Sequence, residues 1–575
     1  MFFTLVNHLT TDTLTSLIGF GAELVLCATI VVILLARMFH FTERIDSTWI
    51  ALLGSLAALV VLSPLAPWDI SQQPAQMVAI GNLPRVELFT GMLVYDGFGV
   101  VIKTLMIVFL LLFFVLTKLT SAHRSQDSPD FTTLVLGATV GMCLMVSANH
   151  VLMVFLAIEM ASVPSYAMVA IRRVDRKGSE AALKYAVYGA AAAGVMLYGI
   201  SLLCGVLNSA HIPTMAMKLS EMSAAGMTGA EITILVMASL MILVGLAFKL
   251  SAVPFHQWCP DVFEGATAEV GAFLSVASKA AALALLIRVA VGLGCVESAP
   301  LPLAANTHGE AKAALFNVAD EKQPAVEEAA EVTSETKSLQ PVQTFLGLII
   351  AIMAAVTCTF GNLAAFAQTN IKRLLAYSTI AHAGYMMMAV PPILALASKD
   401  VAAAGECAGY LALYIAVYLL MNLGAFAVVA YVRDCTGSEE IRDYAGMIYR
   451  NQSIAICMTI LLVSLVGLPP LAGFVGKFAV FAGVARGYLA TGETYLAILL
   501  AVGCVNTAIS LFYYLRVVKV MTIDPVDEET APMHRSPGIL QLGYLWCVTA
   551  PVLLLIVGWD SLNVWIQAAV RGLIS

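Results

Sequence analysis

Fourteen stretches of roughly 20 apolar residues dominate this sequence of 575 residues. A helix of about 20 residues spans the hydrocarbon core of a bilayer, because an α-helix rises about 1.5 Å per residue. Hydrophobic residues make up 60% of the chain and charged residues 12%, and the mean hydropathy is +0.90. The sequence therefore predicts an all-α polytopic membrane protein. The predicted spans are residues 15–36, 47–66, 98–117, 130–148, 151–171, 182–207, 231–253, 269–294, 342–367, 372–397, 405–432, 453–487, 491–516 and 538–570.

Composition also excludes several functions. A charged fraction of 12% is too low for a soluble enzyme, and a net charge of −7 disfavours binding to nucleic-acid phosphates. The 11 cysteines occur singly, without a C-x-x-C pair, so their spacing indicates no iron–sulfur motif, zinc ribbon or disulfide framework. No G-x-G-x-x-G or Walker-type loop is present. The sequence therefore predicts no cofactor or metal site on this chain.

The distribution of lysine and arginine predicts the orientation in the membrane. Loops that follow odd-numbered spans carry sixteen of these residues, and loops on the opposite side carry eight. Because basic loops remain in the cytoplasm, both termini are expected on the non-cytoplasmic side. Residues 1–16 contain no lysine or arginine and thus lack the basic region of a cleavable signal peptide.

Residues 296–340 differ from the rest of the chain. They contain eight acidic residues and three lysines, and they follow a predicted span that ends outside. This composition predicts a solvated non-cytoplasmic loop, with partner binding as the less favoured alternative.

Five ionisable residues lie within or beside predicted spans: Glu159, Lys184, Lys249, Lys279 and Lys477. A charge at the bilayer centre costs about 2.5–3.5 kcal/mol on insertion scales, so each of them needs a functional or structural reason. Another residue, Lys103, is nearer the start of its span, where it could snorkel towards the interface, and it is therefore not counted with these five.

Two of these lysines lie beside predicted helix breaks. Lys249 precedes Pro254 in the string FKLSAVPFHQWCPD, and Lys477 follows Pro469 and Pro470 in GLPPLAGFVGKF. Proline interrupts the hydrogen-bond ladder of a helix, and interrupted membrane helices in both halves of a chain indicate a transport site. A charge relay is therefore the favoured interpretation.

Structural alternatives exist for each of these side chains. Glu159 and Lys249 could form a buried ion pair that only fixes helix packing. Lys184 could cap its helix or snorkel, and His256, after Pro254, is equally consistent with a proton carrier and a packing residue. His382 is expected to be a hydrogen-bonded core histidine.

Several strings resemble the antiporter-like membrane subunits of proton-pumping NADH:quinone oxidoreductase (respiratory complex I), and among them subunit N. The string SVASK around Lys279 favours subunit N over subunits M and L, and a lysine at 477 disfavours subunit M. The strings that carry the resemblance are ANHVLMVFLAIEMASVPSY, ALKYAVYGAAAAGVMLYG, GLAFKLSAVPFHQWCPDVFEGA, SVASKAAALALLIRV, GNLAAFAQTNIKRLLAYSTIAHAGY and GLPPLAGFVGKF.

This resemblance implies fourteen helices with two inverted five-helix repeats, helices 4–8 and 9–13, and interruptions in helices 7 and 12. The implied divisions are residues 1–129 for helices 1–3, 130–295 for the first repeat, 296–340 for the acidic loop, 341–520 for the second repeat and 521–575 for the C-terminal loop and helix.

The resemblance also implies a proton relay in which Glu159 pairs with Lys249, and Lys279 passes protons to Lys477. Lys184 matches the family's extra helix-6 lysine. Quinone reduction in neighbouring subunits of the translocase would supply the energy, with NADH, FMN, iron–sulfur clusters and quinone all bound by other chains. The implied partners are subunit M and the small subunits K, J and A, in a bacterial cytoplasmic membrane. A stand-alone or multi-subunit cation/proton antiporter is the alternative, since the same buried charges would serve it.

One segment departs from the family pattern. Residues 263–270 read F-E-G-A-T-A-E-V, whereas members usually read close to Y-Q-G-A-P-x-P-V. Two prolines are lost and two acidic residues are gained, which leaves the rigidity of the connection between helices 7 and 8 open.

We predict that residues 296–340 are dispensable for the chemistry. Replacing them with a short Gly/Ser linker should leave the quinone-reductase activity of the assembled complex largely intact, because a solvated loop contributes no buried group. Loss of assembly would show instead that the loop binds a partner. Protection of Lys322 from a reagent added outside would contradict the predicted topology.

Overall fold

A computed structural model describes residues 2–40, 46–62, 83, 85–120, 128–171, 176–296, 339–526, 530–555, 557–570 and 573. Most of the predicted acidic loop lies outside these residues. At its two ends, Val296 and Leu339 are buried and Gln340 begins a helix. The predicted boundaries of this loop, 296 and 340, therefore stay predictions.

Twenty-one α-helices, one short 3-10 helix (Ile441–Tyr444) and one β-hairpin form the described structure. In the hairpin, β1 (Val86–Leu88) pairs with β2 (Leu93–Tyr95) in antiparallel register. The helices up to residue 294 are α1 Phe2–Gly19, α2 Gly21–Met38, α3 Ser47–Leu62, α4 Gly97–Leu119, α5 Ser128–Ser147, α6 Val151–Val169, α7 Arg176–Leu207, α8 Ile212–Ala225, α9 Gly229–Leu250, α10 Trp258–Gly265 and α11 Ala268–Gly294. The later helices are α12 Gln340–Ala365, α13 Ile371–Met387, α14 Val390–Leu396, α15 Val401–Thr436, α16 Met447–Arg450, α17 Gln452–Val466, α18 Ala472–Thr491, α19 Thr494–Thr522, α20 Ile539–Leu554 and α21 Trp559–Val570. Residues 128–294 are called the first half below, and residues 340–522 the second half.

The prediction of a multi-pass membrane protein is confirmed. In the part of the chain that the structure describes, 11 helices are long and apolar enough to cross a membrane when α13 and α14 count as one span, or 12 if α20 and α21 also form one bent span. Two further predicted spans coincide with the shorter apolar helix α3 and with the interrupted pair α17 and α18. The count of fourteen and the inverted repeats stay predictions.

Two predicted spans differ from the observed helices. The span predicted at 15–36 is divided at Phe20 between α1 and α2, where Gly19 and Gly21 are weak helix formers. The span predicted at 538–570 is two helices, α20 and α21, bent by 85°. Gly558 immediately precedes α21 and favours an interruption there.

Both predicted helix breaks are confirmed. Helix α9 ends at Leu250, and Ser251 adopts a left-handed backbone conformation that side-chain-bearing residues rarely take. Helix α17 ends at Val466, and Gly467 supplies the same left-handed conformation. Prolines follow within three residues in each case, so neither helix can continue.

Helix α11 lies at the centre of the protein. All 27 of its residues are buried, and eight of them are alanine, which lets neighbouring helices approach closely. Its partner in the second half is α15, which is 36 residues long and therefore spans about 54 Å. At Gly271 of α11, a Cβ atom would lie 2.9 Å from the ring of Phe426 on α15. The two halves thus meet along a tightly packed interface.

A buried ion pair fixes α11 against the N-terminal helices. Both guanidinium nitrogens of Arg288 lie 2.5 Å from the carboxylate of Asp96, and the Nε atom donates to the carbonyl oxygen of Val146 at 3.0 Å. Asp96 also caps α4 by accepting the backbone N–H of Gly99 at 2.8 Å. One arginine therefore connects α4, α5 and α11.

We predict that Arg288→Ala destabilises the protein by about 3–5 kcal/mol, because Asp96 would remain as an unpaired buried charge. The measurements are the apparent melting temperature in detergent and the amount of assembled complex in membranes. The control is Arg486→Ala, which removes a pair whose side chains are 43% and 41% exposed and should cost about 1 kcal/mol or less. Equal effects of the two variants would contradict the assignment of Arg288 as a buried fixing point.

Candidate functional site

Lys249 lies fully buried in the last turn of α9. Its Nζ atom donates to the hydroxyl of Ser162 on α6 at 3.1 Å. Glu159 lies one turn earlier on α6 and is half-buried. Glu159 and Lys249 interact electrostatically but, among the described contacts, do not form a direct salt bridge. The structure therefore brings the two predicted residues together with the lysine bound to a neutral hydroxyl.

Lys279 lies in the middle of α11 and contacts the broken end of α9. Its ammonium group donates to the carbonyl oxygen of Leu250 and, at 2.5 Å, to the hydroxyl of Ser251. It also lies 5.7 Å from the centre of the Trp258 ring. The last carbonyls of a helix have no intrahelical partner and carry partial negative charge, so an ammonium group is a suitable donor there.

Lys477 has the same relation to the break in the second half. It is buried in α18, and its Nζ atom donates to the carbonyl oxygen of Val466, the last residue of α17, at 2.9 Å. The ammonium group lies 4.3 Å from the centre of the Tyr385 ring, within range of a cation–π interaction. Sequence analysis placed Lys477 beside a break but did not predict that it binds the helix end.

Opposing forces act on these two ammonium groups. The carbonyl dipole at a helix end stabilises the charged form, whereas burial in apolar surroundings stabilises the neutral amine. Among the described contacts, neither Lys279 nor Lys477 forms a salt bridge.

Polar side chains lie between the two lysines. Ser275, one turn from Lys279 on α11, accepts a hydrogen bond from the amide of Asn422 at 2.7 Å. The same amide contacts the hydroxyl of Tyr418 at 2.8 Å, and the Tyr418 ring centre lies 5.1 Å from that of His382. These groups cross from the first half to the second half.

His382 continues this series towards Lys477. Its Nδ1 atom lies 2.8 Å from the hydroxyl of Tyr414, and its Nε2 atom lies 3.3 Å from the hydroxyl of Tyr514. Its ring centre is 5.9 Å from that of Tyr385, the ring that Lys477 contacts. The prediction of a hydrogen-bonded core histidine is confirmed, and its position between the two halves is new.

The other two sequence candidates differ in their relation to this series of contacts, because His256 interacts electrostatically with Lys279 whereas Lys184 has no described contact with the series. His256 is buried and packs edge-on against Phe360 at 4.4 Å, and no described residue hydrogen-bonds to its Nδ1 atom. Lys184 forms ion pairs with Glu180 at 2.9 Å and Asp261 at 3.0 Å, and its side chain is 41% exposed. Lys184 therefore belongs to a separate charged cluster.

Lys103, which was not counted because its position allows snorkelling, forms a buried ion pair instead. Lys103 is buried, and its Nζ atom lies 2.6 Å from a carboxylate oxygen of Glu23 on α2. Glu23 is itself buried, so the pair compensates both charges inside the protein. Sequence analysis missed Glu23 because an acidic residue in the first turn of a helix is common and needs no partner.

Comparisons with known proteins agree with this architecture. The model of the family described as "NADH:quinone oxidoreductase/Mrp antiporter, TM" matches residues 148–299 and 332–505. The unmatched residues between these two ranges fall within the predicted acidic loop.

Similar proteins cover nearly the whole chain. An NADH-quinone oxidoreductase subunit N from Anaeromyxobacter sp. (strain Fw109-5) is 36% identical over 506 residues, which are 86% of this chain and 88% of that protein. A chain of respiratory complex I from Thermus thermophilus with bound aureothin is 27% identical, with a TM-score of 0.65 over 95% of this chain and 100% of that chain. A chain of the Mrp complex from Dietzia sp. DQ12-45-1b is 16% identical and shares the fold, with a TM-score of 0.70 over 98% of each chain. The chain therefore belongs to the NADH:quinone oxidoreductase/Mrp antiporter membrane family, as a member of the subunit N type.

Proposed function

We propose that this chain translocates protons across the membrane as a subunit of an NADH:quinone oxidoreductase, a translocase. The observation that carries the proposal is the repeated arrangement of a buried lysine at the end of an interrupted helix. Lys279 binds the end of α9 and Lys477 binds the end of α17. The polar side chains between them give a proton a path that avoids the apolar core.

The first step in this proposal is the separation of Glu159 from Lys249. When the carboxylate is close, it stabilises the Lys249 ammonium; when it moves away, burial favours release of the proton. The hydrogen bond from Lys249 to Ser162 corresponds to the separated arrangement. A neutral Lys279 amine then accepts the proton, and its ammonium form is held by the carbonyl end of α9.

The second step carries the proton from Lys279 to Lys477. Ser275, Asn422, Tyr418 and His382 supply donors and acceptors along this route, and water completes it. A neutral Lys477 accepts the proton and later releases it towards the non-cytoplasmic side. Each transfer leaves the donor lysine neutral and ready for the next proton.

Energy for this cycle would come from quinone reduction in neighbouring subunits, because no nucleotide-binding motif occurs in this sequence. Membership in the family and the similarity to a complex I chain support partners in a membrane arm. We assign these partners to an antiporter-like subunit M and the small subunits K, J and A. NADH, FMN, iron–sulfur clusters and quinone would bind to other chains. The proposed location is a bacterial cytoplasmic membrane, with both termini outside.

We predict that Glu159→Gln combined with Lys249→Met gives an assembled complex that pumps poorly. The double substitution removes both charges, so it avoids the cost of about 3–5 kcal/mol that one unpaired buried charge can impose. It also removes the group that holds and releases a proton. The measurement is proton uptake per NADH oxidised in membrane vesicles, normalised to assembled complex.

The matched control is Glu23→Gln combined with Lys103→Met, because this pair is also buried but lies outside the proposed relay. The control should assemble and pump like the parent. Parental coupling in the Glu159/Lys249 variant would show that this pair is only a packing element.

A further inference from the structure

Three cationic side chains of the second half contact the short connection between α10 and α11. With the helix residues beside it, this connection is taken as residues 264–269, from the end of α10 to the first turn of α11, the helix that carries Lys279. The contacts are Arg373 with Glu264, Lys372 with the carbonyl oxygen of Ala266, and Arg433 with Glu269.

The pair between Glu269 and Arg433 is the more buried of the two ion pairs. The guanidinium group donates to both carboxylate oxygens, at 3.0 and 3.2 Å, and the Glu269 side chain is completely inaccessible to solvent. Glu269 lies in the first turn of α11 and Arg433 in the last turn of α15, so each charge also matches the dipole of its own helix. A bidentate pair of this kind fixes orientation as well as distance.

Arg373 connects α13 to α10. Its Nη1 atom donates to Asp261 at 2.9 Å and to Glu264 at 2.8 Å, and both acceptors are on α10. Arg373 lies in the first turn of α13, where the helix dipole disfavours a cation. The two carboxylates of α10 offset that cost, so α10 and α13 stabilise each other.

The two helices that flank the connection, α10 and α11, determine the surroundings of Lys279. Helix α10 carries Trp258, whose indole N–H donates to the carbonyl oxygen of Phe248 at 3.1 Å and whose ring lies 5.7 Å from the Lys279 ammonium. Helix α11 carries Lys279 itself. A shift of the connection would therefore change the distance between Lys279 and the end of α9.

Side-chain contacts restrict residues 267–269, where the second helix, α11, begins. At 267, the Thr267 hydroxyl caps α11 by accepting the backbone N–H of Val270 at 3.4 Å. At 269, Glu269 forms the buried pair with Arg433. A helix cap and a buried ion pair therefore fix the start of α11.

We propose that Glu264 and Glu269, bound to Arg373 and Arg433, form an ion-pair clamp that positions Lys279 against the end of α9. The clamp joins the first half to the second half in two places. One ion pair links the start of α11 to the end of α15, and the other links α10 to the start of α13. These four are positioning residues, because none of them contacts the transferred proton. This inference rests on the proposed proton translocation and adds a structural requirement to it.

The test uses the full chain in the assembled complex, in membrane vesicles. Glu269→Gln removes the buried charge with little change in shape, and Glu264→Gln does the same at the more exposed contact. Glu269→Asp keeps the charge. The matched control is Glu406→Gln. Glu406 also lies on α15 but near its other end, where it pairs with Arg486 of α18. Each variant is compared by protons pumped per NADH oxidised, normalised to assembled complex.

We expect Glu269→Gln and Glu264→Gln to lower the proton ratio by about twofold or more, a typical size for a residue that couples two sites. Glu269→Asp should retain most of the ratio, and Glu406→Gln should match the parent. If Glu269→Gln does not assemble, the Glu264→Gln variant decides the question.

A parental proton ratio in every assembled clamp variant would overturn the clamp. The variant Lys279→Leu separates this result from a failure of the proposed function. If Lys279→Leu pumps poorly while the clamp variants pump normally, the clamp is wrong and the relay stands. If Lys279→Leu also pumps normally, the proposed function itself is wrong.

Discussion

Backbone carbonyl groups at an interrupted membrane helix must find hydrogen-bond donors inside the protein. A bilayer core offers no water, and each unsatisfied backbone group costs several kcal/mol there. In this protein, lysine ammonium groups supply donors at the ends of α9 and α17. The same side chains that complete the helix ends are therefore able to carry protons, which ties the stability of the breaks to the proposed activity.

The packing of the two halves depends on this arrangement. Lys279 lies near the centre of α11 and must reach the carbonyl group at the end of α9. The position of α11 can therefore vary only within the narrow range of distances that a hydrogen bond tolerates. Helix α11 meets this requirement by being completely buried and rich in alanine. The ion pairs of Arg288 with Asp96 and of Arg433 with Glu269 then hold its two ends. Interactions far from Lys279 thus control its surroundings.

Much of the fold could be predicted from local sequence. The apolar spans follow from composition and length, and the breaks beside Lys249 and Lys477 follow from proline chemistry. The boundaries that were wrong lie at glycines: Phe20 is flanked by two, and Gly558 precedes the bend before α21. Glycine weakens a helix without ending it in every context, so apolar length alone cannot locate such interruptions.

The candidate site was predicted less completely, for a physical reason. Isolated charges such as Glu159 and Lys279 are visible in a sequence because an apolar span makes them costly. The neutral partners of the buried lysines are not visible in the same way, since serines such as Ser162 and Ser251 occur in or beside spans for many reasons. Glu23 and Lys103 show the same limit, because a compensated buried pair needs contacts between residues 80 positions apart. Only the folded arrangement of helices reveals which of them meet.

The central claim is that Lys477 exchanges a proton and does more than supply a positive charge to the end of α17. The most direct measurement is proton uptake per NADH oxidised in vesicles with Lys477→Arg, normalised to assembled complex, beside the exposed-residue control Lys399→Ala. Arginine keeps the charge and can donate to the Val466 carbonyl, but it is not deprotonated in proteins. The account predicts that the Lys477→Arg complex assembles and pumps poorly while the control matches the parent. Parental pumping by assembled Lys477→Arg would contradict it.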